Sequence, residues 1–208
     1  MTHVLTRVDE LIRRDCRYLS EHSECYFLRE YTSGQGYEFG ETNQLIYNLK
    51  KSPDRHDRPE WIYKLRAIEK FSTELAEALN PSWLRSAILV PMPPSRSRSD
   101  PLHDDRMLQV LGLLNQHGRY RVIELIEQTR TTEPAHAAQR RPGPDEILSA
   151  YRIRSAESVP QQPRFAVFDD VLTTGAHFAA AEMLLRERFP DCDVVGIFWA
   201  RAIRLPLE

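Results

Sequence analysis

The segment at positions 165–175 is Phe165-Ala166-Val167-Phe168-Asp169-Asp170-Val171-Leu172-Thr173-Thr174-Gly175. Its four leading apolar residues are typical of a short strand that is covered on both faces. The residues after the glycine have helical spacing, so the segment predicts a strand, a tight turn and a helix N-terminus in direct succession. Two adjacent carboxylates are thereby expected beside a turn that is rich in hydrogen-bond donors.

Short apolar runs alternate with amphipathic stretches along most of the chain. They predict strands at positions 25–28, 87–90, 121–126, 165–168 and 194–199. Helices are predicted over positions 4–20, 41–51, 58–80, 107–114 and 176–189. Strands that alternate with helices are typical of a parallel sheet, so we expect an α/β fold. Positions 129–163 show little periodicity, and we expect a functional loop or a disordered segment there.

The composition is that of a soluble globular protein of one domain, with 208 residues, 41% of them hydrophobic and 28% charged. A formal net charge of −2 argues against a protein that coats nucleic acid. No apolar run approaches the roughly 20 residues that span a bilayer, so no membrane partner is expected. The first residues lack signal-peptide features, which predicts a cytoplasmic protein. Cys16, Cys25 and Cys192 form no Cys-x-x-Cys pair, so neither a disulfide framework nor a zinc site is indicated.

The strand end and the turn together suit a ligand that carries a phosphate and neighbouring hydroxyls. In parallel sheets the ligand crevice lies at the carboxyl ends of the strands, where Asp169 and Asp170 are expected. The amides of positions 172–175 and the threonine hydroxyls can surround a phosphate, and the glycine permits close approach and positive φ. The carboxylates would repel that phosphate, so we expect them to accept hydrogen bonds from ribose hydroxyls or to help hold Mg²⁺, directly or indirectly. The alternative is a junction in which Asp and Thr only cap a helix.

The segment 165–175 closely resembles the phosphoribosyl-diphosphate signature of type I phosphoribosyltransferases, an apolar strand followed by Asp-Asp, two apolar residues and Thr-Thr-Gly. The resemblance implies a parallel sheet flanked by helices over positions 41–208, with a small hood built from positions 1–40. It also implies catalytic roles for Asp169 and Asp170. The implied 5′-phosphate site consists of Val171, Leu172, Thr173, Thr174, Gly175, Ala176 and His177. The family usually has Thr or Ser at position 177, so either the imidazole of His177 replaces that hydroxyl or His177 is an exposed helix residue.

A second loop follows the strand predicted at positions 87–90, and its sequence is Pro91-Met92-Pro93-Pro94-Ser95-Arg96-Ser97-Arg98. Its prolines stiffen the backbone, and its two guanidinium groups can bind the oxygens of a diphosphate in pairs. The alternative is a solvated surface loop. In the resemblance this loop receives pyrophosphate, which implies a diphosphate site made of Pro93, Pro94, Ser95, Arg96 and Arg98.

Two segments are similar to the ComF-like branch of this family. Val90-Pro91-Met92-Pro93 matches a Val-Pro-x-Pro pattern, and Leu45-Ile46-Tyr47-Asn48-Leu49-Lys50 matches a Leu-Ile-x-x-Leu-Lys helix. Proteins of that branch often begin with a cysteine zinc ribbon. This sequence shows none, so no role tied to the ribbon is implied.

A third segment, at positions 130–142, is basic and contains Arg140, Arg141 and His136. The resemblance implies a flexible loop that closes over the diphosphate during the reaction. On closure the two arginines, as catalytic residues, would supply charge and the histidine a proton donor. The alternative is a disordered basic loop.

These features predict a cytoplasmic, Mg²⁺-dependent phosphoribosyltransferase that transfers ribose 5-phosphate between 5-phosphoribosyl diphosphate (PRPP) and a nitrogen base. Fixing the ribose and offsetting the charge of the leaving pyrophosphate would supply catalysis without a protein nucleophile. One alternative is a non-catalytic PRPP- or nucleotide-binding regulatory module, and another is a ComF-like accessory protein of DNA uptake, which the charge balance does not favour. A homodimer could form through the N-terminal helix, and Tyr37, Phe39 or Trp199 could stack a base unless they belong to the core.

Overall fold

The computed structural model describes residues 4–132, 142–154 and 159–205. Its strands are β1 (Thr6–Arg7), β2 (Glu24–Thr32), β3 (Ile88–Pro91), β4 (Arg121–Val122), β5 (Ile126–Gln128), β6 (Tyr151–Ile153), β7 (Arg164–Leu172) and β8 (Asp193–Ile203). Its α-helices are α1 (Glu10–Arg13), α2 (Glu41–Leu49), α3 (Trp61–Ala78), α4 (Pro81–Ser86), α5 (Arg106–Leu114), α6 (Pro144–Leu148) and α7 (Ala176–Arg188). Short 3-10 helices lie at Tyr37–Phe39 and Pro53–Arg55.

Six of the strands form one sheet in the order β1-β2-β8-β7-β3-β4. Every pairing in it is parallel except that of β1 with β2. Strands β5 and β6 form a separate antiparallel pair. The predicted α/β fold with a mostly parallel sheet is confirmed. Strand β2, which lies within the segment assigned to the hood, is part of this sheet.

Hydrophobic residues cover both faces of the sheet. Successive side chains of a strand point to opposite faces, so consecutive apolar residues of one strand contribute to both clusters. In β7, Phe165 and Val167 pack with α7 on one face, whereas Ala166 and Phe168 pack with α3 and α5 on the other. A strand that is buried on both faces must be apolar at consecutive positions. This is why the run at positions 165–168 could be recognised from the sequence.

Trp199 belongs to the core and does not form a platform for a base. Its side chain is fully buried, and its ring stacks on that of Phe71 with 4.6 Å between the ring centroids. Its Nε1 donates a hydrogen bond to Glu74 Oε2 at 2.7 Å. Tyr37 and Phe39, in contrast, are exposed.

The helix predicted over positions 4–20 is wrong. This segment contains only the two-residue β1 and the four-residue α1, and the amide of Val8 donates to the carbonyl of Cys25 at 2.9 Å. Val8, Cys16 and Leu19 are nevertheless buried in the core cluster that includes α7. The apolar spacing that suggested a helix therefore reflects burial against the rest of the domain.

Two further expectations changed in the middle of the chain. The strand predicted over positions 121–126 divides, because β4 ends at Val122 and Ile126 begins β5, which pairs with β6. The region expected to be irregular contains α6 and β6 among its described residues. These elements have only five and three residues, which is too short for a periodic pattern to be recognised.

The order in which the strands are added to the sheet reverses between β3 and β7. From β3 the chain continues to β4 on one side, whereas from β7 it continues to β8 on the opposite side, and β2 lies beyond β8 in the sheet. In open α/β sheets a ligand crevice lies outside the carboxyl ends of the strands at such a switch point. Here those ends are Pro91 and the segment from Asp169 to Leu172. Within the described part of the chain, no helix combines the length and apolarity that crossing a bilayer requires.

Candidate functional site

The turn between β7 and α7 requires glycine at position 175 for two reasons. Gly175 has φ +81° and ψ 2°, a left-handed conformation that side chains other than glycine adopt at a cost. A Cβ atom placed there would also lie 2.7 Å from the side chain of Leu19. The neighbouring Tyr18 donates its amide hydrogen to the carbonyl of Thr174 at 3.0 Å. The N-terminal segment therefore packs directly on this turn.

The turn and the first residues of α7 carry a row of backbone amides. Among the described residues, nothing accepts a hydrogen bond from the backbone N–H groups of positions 173–178, whereas Ala179 donates to the carbonyl of Gly175 at 2.9 Å. Thr173, Thr174 and His177 are half-buried. Free amides at a helix N-terminus carry partial positive charge and suit an anion.

Asp170 is a buried carboxylate held by two cations. It is 4% exposed, and its Oδ1 lies 3.0 Å from Lys50 Nζ. Its Oδ2 accepts hydrogen bonds from Arg106 Nε at 3.0 Å and Nη2 at 2.7 Å. Burial alone would raise the pKa of Asp170, but the charges of Lys50 and Arg106 outweigh it and hold the pKa well below its usual value. Asp170 is therefore ionised at neutral pH.

Asp169 is in a different environment although it is the adjacent residue, because the two side chains leave the strand on opposite sides. It is half-buried, and its Oδ1 accepts the amide hydrogen of Asp170 at 2.8 Å. Burial, and then the negative charge of Asp170, raise the pKa of Asp169 to about 7. Its Oδ2 has no hydrogen-bond partner in the described portion of the chain. This oxygen is an acceptor that a ligand hydroxyl could use.

The buried Lys64 extends this network of ion pairs through Asp104. Its Nζ lies 2.9 Å and 2.8 Å from the two carboxylate oxygens of Asp104. Asp104 Oδ2 in turn accepts a hydrogen bond from Arg106 Nη1 at 2.8 Å. We call Lys50, Asp170, Arg106, Asp104 and Lys64 the charge chain. Burial lowers the pKa of Lys64, and Asp104 opposes that shift.

His177 is half-buried and contacts a buried tyrosine. Its Nδ1 lies 3.0 Å from the hydroxyl of the buried Tyr151 in β6, and that hydroxyl is also 3.7 Å from Met92 Sδ. Burial lowers the pKa of His177, so the imidazole is neutral at neutral pH. A neutral imidazole keeps one N–H, which can serve as a hydrogen-bond donor. The tautomer decides whether that donor faces the turn.

The loop after β3 lies beside the turn, but both of its arginines already have carboxylate partners. Met92 donates its amide hydrogen to the carbonyl of Phe168 at 2.8 Å, which holds the loop next to β7. Arg96 Nη1 lies 3.1 Å from Asp100 Oδ2, and Arg98 pairs with Glu124. Pro93, Pro94 and Ser95 are half-buried. Both arginines of the loop are therefore already engaged by carboxylates of the protein, and Arg98 shares its carboxylate with Arg154.

The remaining predicted residues lie outside the described residues. These are Arg140 and Arg141, together with His136. The structure adds Lys50, Arg106, Lys64 and Tyr151 to the site. Lys50 ends the Leu-Ile-x-x-Leu-Lys pattern, which gave it no role in the site. Sequence patterns could not identify the other three; Arg106 and Asp170, for example, are 64 positions apart and only the fold brings them together.

The site offers few ligands for a metal ion by itself. No group of three or more His, Cys, Asp or Glu side chains converges within the described ranges. Both oxygens of Asp170 already contact cations, which leaves Asp169 as one carboxylate for the ion. Mg²⁺ commonly binds through one or two carboxylates together with substrate phosphates and water. The residues present therefore fit a Mg²⁺ ion only if the ligand brings most of its coordination.

Comparison with models of protein families and with curated proteins gives no match to this chain. The motif at positions 165–175 and the geometry of the site are therefore the features that point to a function.

Proposed function

We propose that the protein binds 5-phosphoribosyl diphosphate and transfers its ribose 5-phosphate to a nitrogen base, or catalyses the reverse reaction. One observation carries this proposal. The amides of positions 173–178, from which no described residue accepts a hydrogen bond, follow shortly after two carboxylates in different protonation environments, at the switch point of a parallel sheet. A phosphate and a sugar diol are the two groups that such neighbours suit.

The 5′-phosphate is assigned to the amides, and the ribose hydroxyls to Asp169 and Asp170. Asp169 Oδ2 can accept one hydroxyl. A carboxylate has about four lone-pair positions, and Asp170 uses three of them for Lys50 and Arg106, so it can accept one more hydrogen bond. The two carboxylates together can therefore accept both hydroxyls of a ribose. The assignment to a type I phosphoribosyltransferase-like fold, in its ComF-like branch, is part of this proposal.

In the proposed reaction the bond between C1 of the ribose and the diphosphate oxygen breaks as a bond from the base nitrogen to C1 forms. The diphosphate leaves with the electron pair, and the nitrogen loses its proton to solvent. The residues hold the ribose and phosphate in place while positive charge develops on the ring. Mg²⁺, carried in by the diphosphate, would offset the charge of the leaving group.

A second candidate is a non-catalytic PRPP or nucleotide sensor, and one observation favours it. Arg96 and Arg98, which the sequence assigned to the leaving diphosphate, are each paired with a carboxylate of the protein. If these pairs persist in the complex, the loop supplies little positive charge to the leaving group.

Calorimetric titration with PRPP, together with an assay of pyrophosphate release in the presence of a panel of bases, separates the candidates. The test variant is Asp169→Asn, and the control is Asp193→Asn, whose exposed carboxylate lies at the amino end of β8. Binding with release of pyrophosphate, both weakened only in Asp169→Asn, supports the enzyme. Binding without release for any base supports the sensor. Absence of binding to PRPP, ribose 5-phosphate and nucleotides contradicts both.

A further inference from the structure

We infer that Lys50 and Arg106 bind the diphosphate of the ligand and that the buried Lys64 is the positioning residue for both of them. This inference rests on the proposed function, because it assigns the part of PRPP that the turn and the acidic pair leave unassigned. It depends on three observations: the free donors of the two cations, the net charge of the charge chain, and the contacts of Lys64.

Lys50 and Arg106 both contact Asp170 and both retain further hydrogen-bond donors. An ammonium group has three donors, and Lys50 uses one on Asp170; no second partner exists among the residues described. A guanidinium group has five, and Arg106 uses two on Asp170 and one on Asp104. The side chains of Lys50 and Arg106 are 39% and 21% exposed, so a ligand can reach them.

The chemistry of ribose places the diphosphate close to these donors. The carbon that carries the diphosphate is bonded directly to the carbon that carries the 2-hydroxyl. If Asp170 accepts a ribose hydroxyl, a cation that already contacts Asp170 lies beside the substituent on the neighbouring carbon. Charge-assisted bonds from ammonium and guanidinium groups to phosphate oxygens are among the strongest hydrogen bonds in proteins.

The charge chain contains more cations than carboxylates. It holds three cations, Lys50, Arg106 and Lys64, against two carboxylates, Asp104 and Asp170. In the loop, Arg96 is paired with Asp100, and Arg98 shares Glu124 with Arg154. A multiply charged diphosphate is attracted to the excess positive charge of the charge chain.

Lys64 fixes the backbone on both sides of Lys50 and also fixes Arg106. Its Nζ donates to the carbonyl of Leu49 at 2.9 Å and to that of Lys51 at 2.7 Å. The same nitrogen contacts Asp104, which holds Arg106. The side chain of Lys64 is fully buried and its donors are committed, so it cannot touch the ligand itself. Its effect on binding must act through Lys50 and Arg106.

The test compares the affinity for PRPP with that for ribose 5-phosphate, which lacks the diphosphate, by calorimetric titration. Lys50→Gln should weaken PRPP binding by at least about tenfold, because a charged hydrogen bond is lost, and should change ribose 5-phosphate binding by less than about twofold. Lys51→Gln is the matched control, since it removes the same charge one position away and should alter neither affinity.

Lys64→Met should also weaken PRPP binding selectively, and adding Lys50→Gln to it should give less than the product of the two losses, because both act on the same contact. If Lys64→Met fails to fold, Lys64→Gln, which removes the charge but can still donate a hydrogen bond to the carbonyls of Leu49 and Lys51, supplies the same comparison. Equal losses for PRPP and ribose 5-phosphate in Lys50→Gln, or no loss for either, would overturn the inference while the proposed function stands. If the unaltered protein binds neither compound, the proposed function fails and this inference fails with it.

Discussion

The backbone of Gly175 and the side chain of Leu19 are in such close contact that a single added Cβ atom would lie 2.7 Å from the leucine. The left-handed φ of Gly175 adds a conformational requirement to this steric one. The contact connects the N-terminal segment to the turn that carries the candidate phosphate site. It makes position 175 a test of whether the turn is built as the structure indicates.

Gly175→Ala should destabilise the protein by more than the roughly 1 kcal/mol that the left-handed conformation alone costs a residue with a Cβ, because the clash with Leu19 adds to it. Leu19→Ala should cost about 2–5 kcal/mol by opening a cavity. The double variant should lose clearly less than the sum, since removing the leucine relieves the clash. Chemical denaturation of the three variants measures this, and strict additivity would contradict the contact.

Asp169 should make the stability of the protein depend on pH between about pH 4 and pH 7. Its pKa is raised to about 7, first by burial and then by the charge of Asp170, so the folded protein holds this proton more tightly than the unfolded chain does. Its contribution to stability is full below the ordinary pKa of Asp, near 4, and is lost as the pH rises through about 7. Asp170 does not change the stability over this pH range, because its pKa is lowered and its contribution to stability is lost only in stronger acid.

The check is the free energy of unfolding of Asp169→Asn measured from pH 4 to pH 8. The variant should show a flatter decline than the unaltered protein across that range. Asp193→Asn, which alters an exposed carboxylate, should leave the decline as it is. An unchanged slope in Asp169→Asn would mean that Asp169 is not the group that titrates.

Tyr151→Phe should cost about 1–3 kcal/mol, because it removes the hydroxyl that lies 3.0 Å from His177 Nδ1 and leaves that buried nitrogen without a partner. The pKa of His177, followed by NMR, should move from its present lowered value, since the hydrogen bond contributes to which form of the ring is favoured. Tyr26→Phe, which removes a hydroxyl bonded to Glu24, is the control and should leave the titration of His177 unaltered. A His177 titration that is the same in Tyr151→Phe would show that the contact has no energetic role.

Glu74→Gln should destabilise the protein by about 1–3 kcal/mol, because it leaves the mostly buried guanidinium of Arg29 paired with the exposed Glu41 and without its buried counter-charge. Glu74 receives two hydrogen bonds from Arg29, at 2.8 Å and 2.6 Å, and one from Trp199. Glu77→Gln on the same helix changes an exposed side chain and should shift the midpoint of thermal unfolding very little. Similar midpoints for the two variants would contradict a stabilising role of the Glu74 carboxylate in its contacts with Arg29 and Trp199.

The central part of the fold could be predicted from the sequence because its elements carry strong local patterns. Positions 165–168 are apolar without interruption, and the helix after Gly175 has both a glycine before it and a proline two residues after its end. The helix predicted over positions 4–20 failed because Val8, Cys16 and Leu19 are buried by the rest of the domain, and burial can place apolar residues at helical spacing without a helix. In this segment, burial by distant parts of the chain produces the same spacing of apolar residues that an amphipathic helix would.

The candidate site also has one part that the sequence could predict and one part that it could not. The acidic pair and the donor-rich turn are contiguous in the sequence, so their chemistry could be inferred directly. The charge chain could not, because Lys64 and Asp104 are 40 positions apart and each lies next to ordinary surface charges in the sequence. The pairing of Arg98 with Glu124 was hidden for the same reason.

The most direct test of the central claim is a titration of ¹⁵N-labelled protein with ribose 5-phosphate, followed through the backbone amide resonances. We expect the resonances of positions 173–178 to shift most, with saturation, because their free N–H groups would then donate to the phosphate. Amides at the amino end of β8, such as Val194, should not move. Saturable binding that leaves positions 173–178 unshifted would contradict the assignment of the phosphate to this turn.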